Sequence, residues 1–281
     1  MITKVLLISC GDIAIRLARL LPPDRFRCHG LRRRPERLPF TIEGIGWDLS
    51  RAEGLAERIA DFEVVVITPV PSSRDAAGYR RAYVGNMQNI VAGLEAASAK
   101  AKLTLFVSST SVYGQNQGEW VDENSPTEPS TFRGQAVLGG EELVRNSTLD
   151  SCIVRFSGIY GPGREHLINQ VRRGDFGAED EGYSNRIHAD DCAGVLSHLI
   201  QRKLNGEDME SLYLASDCEP APLADVKWWL AKQMGFPVGD QPDRIELCGN
   251  KRCSNERLLG SGYEFKYPSF QEGYAELMDS R

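Results

Sequence analysis

The sequence predicts an α/β chain built on a doubly wound parallel sheet, and three observations carry that prediction. Short β-branched or leucine-rich runs alternate with segments whose apolar residues recur at helical spacing; residues 62–68 (FEVVVIT) are the clearest run. The first run, residues 4–8, ends at a small-residue turn and opens into a helix with Leu17, Leu20 and Leu21 on one face. Clusters of polar side chains follow the strand-like runs directly, where a parallel sheet binds its ligands.

At 281 residues the chain can bury a full core, as one large α/β domain or as one domain with a small lobe. A formal charge of −6 gives no support to nucleic-acid binding. The seven cysteines form no CxxC pair, and the four histidines show no metal-ligand spacing, so no metal site is expected. Reduced, buried thiols in a cytoplasmic protein are the expectation instead. No apolar run approaches the roughly 20 residues that span a bilayer, and the N-terminus enters its strand without a signal-peptide pattern.

In the first turn the helix amides and dipole would receive a pyrophosphate. The usual G-x-G-x-x-G reads Ser9-x-Gly11-x-x-Ala14 here, so the central glycine, where the backbone approaches phosphate, is kept. Gly11, Asp12 and Ile13 are the candidate phosphate-side residues. Residues 26–31 form a second strand leading into Arg32-Arg33-Arg34. A carboxylate at this place favours the free 2′-hydroxyl of NAD, whereas an arginine accommodates the 2′-phosphate of NADP. Arg32 and Arg33 therefore point to NADP(H), with NAD(H) as the alternative cofactor; a solvated charged turn is the competing explanation of the run.

Residues 46–49 read as a third strand ending at Asp48, and residues 52–59 as a helix. The strand at residues 62–68 leads to a loop with Pro69 and Pro71. Tyr79, Tyr83, Met87, Ile90, Val91 and Leu94 then predict one helix running to Ala97. Residues 103–107 are a fifth strand, followed at once by Ser108-Ser109-Thr110-Ser111-Val112-Tyr113-Gly114. Residues 152–156 form a sixth strand, with Tyr160-Gly161-Pro162-Gly163-Arg164 soon after it. Residues 164–171 read as a helix, 174–184 as a polar acidic loop, and Arg186-Ile187-His188-Ala189-Asp190-Asp191 as the cap of a helix to Ile200. A last strand at 211–215 and a helix at 223–234 follow; Trp228 and Trp229 should divide between surface and core.

Four ordered blocks carry a family resemblance: the Gly11 turn, Ser108 to Gly114, Arg155 through Arg164, and Arg186 to Asp191. Together they resemble the extended short-chain dehydrogenase/reductase family, the NAD-dependent epimerase/dehydratase group. The resemblance implies a Rossmann-type core over residues 1–160, with residues of about 185–215 returning to it. A small C-terminal α/β substrate lobe would take 161–184 and 216–281. It implies that Ser109 holds a substrate oxygen, with Thr110 and Ser111 beside it, and that Asp48 and Leu49 lie near the adenine. Arg186 and His188 would line or brace the substrate lobe. The helices at 76–97 and 135–149 are the face on which such chains pair, which leaves homodimer and monomer both open.

The chain departs from the family at the catalytic pair Y-x-x-x-K. Matching Gly134 and Glu141 to the family pattern places Arg133 at the tyrosine and Val137 at the lysine. An arginine cannot shuttle a proton, and a valine can neither bond a ribose hydroxyl nor carry charge. Arg133 could still clamp an oxyanion or phosphate. This resembles the atypical branch of the family, which keeps the fold and lacks the pair. Two functions follow: an NAD(P)-dependent epimerase, dehydratase or reductase on a sugar-nucleotide or small carbonyl substrate, with Ser109 and Arg133 as catalytic candidates, or an NADP-binding sensor that does not turn its cofactor over.

Overall fold

The computed structural model describes residues 2–97, 101–176, 182–239 and 250–279. In chain order the elements are β1 (Thr3–Ile8), α1 (Asp12–Leu20), β2 (Phe26–Arg32), β3 (Glu43–Gly46), α2 (Leu55–Ile59), β4 (Val64–Ile67), α3 (Ala76–Arg80), α4 (Asn86–Ala96) and β5 (Leu103–Ser109). Then come β6 (Gln117–Val121), α5 (Phe132–Arg145), β7 (Ser151–Phe156), β8 (Gly158–Tyr160), α6 (His166–Arg172), β9 (Tyr183–Ser184), β10 (Arg186–His188) and α7 (Ala189–Leu204). The chain closes with β11 (Leu212–Ala215), β12 (Ala221–Pro222), α8 (Leu223–Gln233), β13 (Asn250–Cys253), α9 (Glu256–Gly260) and α10 (Phe270–Asp279).

The central sheet has seven strands in the order β11-β7-β5-β4-β1-β2-β3, with β1, β2, β3, β4 and β5 pairing in parallel. Strand order reverses between β1 and β4, the point where doubly wound sheets leave a crevice beyond their carboxyl ends. Val5, Leu6, Leu7 and Ile8 are all inaccessible, as are Val64 through Ile67, because helices cover both faces. Leu6, Ile8, Leu55, Ile59, Met87, Ile90, Leu94 and Phe106 belong to the core of this unit.

Two compact units share the chain. The first comprises Met1–Tyr113, Thr127–Arg155 and Ala193–Tyr213, and the second comprises Gly114–Pro126, Phe156–Cys192 and Leu214–Arg281. Residues 114–126, placed in the core by the sequence reading, lie in the second unit, where β6 pairs with β13. The second unit has its own core around Tyr160, Ile168, Val226, Leu230, Phe270 and Tyr274. Trp229 packs against that core, whereas Trp228 lies outside it, with its Nε1 donating to the Gly239 carbonyl at 3.0 Å and Lys232 over its ring.

Some boundaries differ from expectation for identifiable reasons. The third strand is Glu43–Gly46 rather than 46–49, since pairing with β2 sets it from His29↔Glu43 to Arg32↔Gly46. Asp48 thus lies two residues past the strand. Gly54, in the left-handed region at φ +82°, delays the second helix to Leu55. The expected helix ending near Ala97 is interrupted by a π-turn, Arg81–Gly85, between α3 and α4. Residues 177–181 of the expected acidic loop lie outside the described residues, and its end forms β9 against β12. No helix among the described residues is long and apolar enough to cross a membrane.

Candidate functional site

The carboxyl ends of β1, β2, β3 and β4 enclose a cavity of about 910 Å³ within the first unit. Ser9, Cys10 and Gly11 line it after β1, and Arg32, Arg33, Arg34 and Arg37 after β2. Trp47, Asp48, Leu49 and Ser50 follow β3, and Val70, Pro71 and Ser72 follow β4. The sequence had named Gly11, Arg32, Arg33, Asp48 and Leu49, and the fold brings these five to one cavity. Asp12 and Ile13 do not line it by their side chains: Asp12 pairs with Arg16 at 3.0 Å, and Ile13 is buried.

The turn shows how the fold tolerates a missing glycine. Ser9 adopts φ +58°, the left-handed conformation that favours glycine, so the first position of the motif keeps its geometry with a serine. Thr68 Oγ1 donates to the Ile8 and Ser9 carbonyls at 3.2 Å and braces this turn. Gly11 is extended, and a methyl group there would meet only the Ser9 carbonyl at 3.6 Å and Val70 at 3.9 Å, which is ordinary contact. Among the described residues nothing requires a glycine there. What its bare backbone opens is the cavity, at the start of a helix that carries no side-chain cap. These features, with the arginines, fit an anionic dinucleotide.

Arg32 is half-buried, and its Nη1 donates to the Cys10 carbonyl at 3.2 Å, which ties the end of β2 to the turn. Arg33 and Arg34 are exposed. Asp48 Oδ1 accepts from Ser50 N at 3.0 Å and Ser50 Oγ at 2.9 Å, and these bonds hold its carboxyl below the usual range, with a smaller contribution from Arg33. Arg51 and Arg58 lie over Trp47, which steadies this wall. Burial pushes the Cys10 thiol up to about 12 and Cys28 to about 11, so neither is a ready nucleophile.

The hydroxyl turn after β5 separates its serines by the alternation of the strand. Ser108 is buried, and its Oγ donates to Glu141. Ser109, half-buried, faces the other way, and its Oγ accepts from Ser111 N at 3.2 Å. Thr110 is buried in the following 3₁₀ turn, Thr110–Val112. Gly134 in the first turn of α5 seats against the Ser111 carbonyl; a methyl group would stand 2.3 Å from that oxygen. Arg133, one residue earlier, is therefore held beside the hydroxyl turn. It is exposed, with its guanidinium over Tyr79 at 5.8 Å and Phe132 at 5.5 Å. Val137 is 1% exposed and faces the core.

A buried ion pair beneath this turn was not anticipated from the sequence. Arg155 Nε donates to Glu141 Oε1 at 2.9 Å and Nη2 to Oε2 at 2.7 Å, while Nη1 donates to the Tyr113 hydroxyl at 2.8 Å. Glu141 and Arg155 had each been noticed within a motif; an i, i+14 pairing across elements has no sequence signature.

In the second unit Arg186 and His188 share β10, and both are buried. His188 Nδ1 accepts from Asp190 N at 3.2 Å, and its ring packs against Tyr160 and Tyr267. The Arg186 carbonyl accepts from Ser216 Oγ and Asp217 N. Of the two roles carried for these residues, bracing is the one their burial favours.

Asp217 beside them is 1% exposed, and its Oδ2 has no hydrogen-bond partner. Burial raises its carboxyl to about 8, with Arg186 opposing. The folded state thus holds a proton that the unfolded state releases near pH 3.8, so this group lowers stability progressively as pH rises from about 4 to about 8. Asp217→Asn should therefore melt above the wild type by a margin that widens over this window and is constant beyond it. Each kcal/mol is worth about 2–4 °C. Thermal melts of both proteins across pH check this; a margin independent of pH contradicts it.

Among the described residues no group of three His, Cys, Asp or Glu converges to hold a metal ion, and no cysteines are bridged.

Comparison with known proteins agrees with this architecture. The family described as the RmlD substrate binding domain matches residues 4–218. Protein YeeZ of Escherichia coli K12 is 27% identical over 216 residues, covering 75% of this chain and 74% of that protein. A solved structure from Methylobacillus flagellatus, provisionally assigned as an NAD-dependent epimerase/dehydratase, is 35% identical with a TM-score of 0.87, covering 100% of this chain and 99% of that one. A UDP-glucuronic acid 4-epimerase from Bacillus cereus, solved with NAD, shares the fold at 19% identity and a TM-score of 0.77, covering 96% of this chain and 94% of that one. The chain belongs to the RmlD substrate binding domain family, within the epimerase/dehydratase branch of the short-chain dehydrogenases/reductases that its sequence blocks resemble.

Proposed function

We propose that this protein binds NADP(H) and acts on a sugar-nucleotide or small carbonyl substrate, as an epimerase/dehydratase-type enzyme without the usual tyrosine and lysine. The observation that carries the reading is the cavity at the switch point of the sheet, with Arg32, Arg33, Arg34 and Arg37 on the β2 side. Arg32 and Arg33 hold the 2′-phosphate in this reading, Asp48 and Leu49 flank the adenosine, and Gly11 with the first amides of α1 receives the pyrophosphate. A bound nicotinamide supplies hydride transfer. On the protein side, the Ser109 hydroxyl and the exposed Arg133 guanidinium are the groups available to hold a substrate oxygen, with Thr110 and Ser111 shaping the turn.

Calorimetric titration tests the cofactor assignment. NADPH should bind more tightly than NADH, and Arg32→Ala or Arg33→Ala should each weaken NADPH while sparing NADH. A charge-assisted bond to phosphate is worth about 1.5–3 kcal/mol, roughly a tenfold to hundredfold change. Equal affinities that neither substitution disturbs would remove the basis for NADP. A second reading, a cofactor-binding sensor, is favoured by one observation: Val137, which the sequence reading matches to the family's lysine, is a buried aliphatic side chain.

A further inference from the structure

We infer that Arg81 grips the pyrophosphate of the dinucleotide, an inference that rests on the cofactor reading above. The cavity is positive on two sides. Four arginines line the wall beyond β2; Arg81 is the lining cation on the opposite wall, beside Val70, Pro71 and Ser72 beyond β4. Since β1 lies between β2 and β4 in the sheet, Gly11 and the start of α1 fall between these walls. A 2′-phosphate on the β2 side and a pyrophosphate at the start of α1 would thus meet different cations.

The backbone around Arg81 is built to present it. Arg81 opens the π-turn, with Asn86 N donating to the Arg81 carbonyl. This wider turn inserts a residue between α3 and α4, and such insertions recur at functional sites. The preceding loop is fixed on α3: Asp75 accepts from Gly78 N at 2.8 Å and from Ser73 Oγ at 2.8 Å. Gly78 is required there, because a methyl group would stand 2.3 Å from Ser73 Oγ and 2.4 Å from the Ser73 carbonyl. Arg81 itself is exposed, and its protein bond is a long one, Nη1 to Ser72 Oγ at 3.5 Å. The Asp75 carboxylate lies within electrostatic reach of this guanidinium, whose remaining N–H groups are the donors offered to a ligand. A planar fork suits two phosphate oxygens at once. It also suits a turn that has kept only one motif glycine for close backbone approach.

The two sets of arginines should therefore separate by ligand. Arg81→Ala is expected to weaken NADPH, NADH and ADP-ribose alike, by about tenfold to hundredfold. It should leave adenosine 2′-monophosphate, which has no pyrophosphate, unchanged. Arg32→Ala should do the reverse, weakening NADPH and adenosine 2′-monophosphate and sparing NADH and ADP-ribose. Titration calorimetry reads all four ligands, and circular dichroism checks that the exposed substitution leaves the fold intact. If the wild type binds dinucleotides and Arg81→Ala leaves ADP-ribose affinity unchanged, the clamp is refuted while the cofactor reading stands. Loss of NADPH alone would put Arg81 at the 2′-phosphate and likewise refute it. A wild type that binds neither dinucleotide overturns both.

Discussion

Glu141→Ala is expected to destabilise the protein by roughly 3–5 kcal/mol, because it leaves the buried Arg155 guanidinium without a counter-charge. Glu141 is inaccessible and Arg155 is 1% exposed, so water cannot take over the missing bonds. The carboxylate accepts two bonds from Arg155, one from Ser108 and one from the half-exposed Arg145 at 2.7 Å. The Arg145 bond adds less than the Arg155 pair, since its guanidinium stays partly in water and can be solvated when the bond is lost. Glu141→Gln keeps the shape and loses the charge, so it should cost less than alanine but remain destabilising. Removing both partners, as Glu141→Gln with Arg155→Met, should cost less than the sum of the single changes. Urea denaturation of the wild type, the three single variants and the double variant measures this; a cost below about 1 kcal/mol for Glu141→Ala would mean that the pair is solvated. The effect also reaches the candidate site. Ser108 and Tyr113 bracket the hydroxyl turn, and both are bound to this pair. Loosening it should blur the placement of Ser109 before the protein unfolds.

Reduction of nucleotide sugars and small carbonyls with NADPH is expected to be slower by roughly 10²–10⁴-fold than in relatives that keep the tyrosine and lysine, the range by which general acid–base catalysis contributes. The other candidates for a relay sit in closed surroundings. Tyr113 is 4% exposed and bound to Arg155; Tyr160 is 4% exposed, and burial pushes its phenol far up. His188 is 2% exposed and packed between two tyrosines. Absorbance at 340 nm over about pH 5 to 9, with each candidate replaced in turn, reads the outcome. Slow turnover that falls further in Ser109→Ala and Arg133→Gln supports the enzyme reading. Brisk turnover indifferent to Arg133 and lost on replacing Tyr113, Tyr160 or His188 would show that the relay has moved to that residue. Tight cofactor binding with no turnover on any substrate favours the sensor.

The sequence by itself determined the alternating α/β order, the turn at Gly11, the arginines after the second strand and the hydroxyls after the fifth. Each is a local matter: a strand's apolar run, a helix's period and the turn residues between them lie within a few positions of one another. Position after a strand was enough to foresee the places of Gly11, Arg32 and Arg33, because a parallel sheet gathers the ends of its strands; Asp48 and Leu49 were expected from the family resemblance, and the same cavity takes them in. Tertiary structure decided the rest. The register of β3 was set by its partner strand and by Pro35, which packs where a side chain on Gly44 would be, 2.7 Å from that position. Ser9 took a left-handed conformation that its residue type disfavours, since Thr68, 59 residues away in sequence, braces the turn. The π-turn that presents Arg81 sits inside an unbroken helical pattern and leaves no mark in the spacing of apolar residues. Burial, which only packing can establish, decided that Glu141 and Arg155 would form one closed pair and that Arg186 and His188 would face inward.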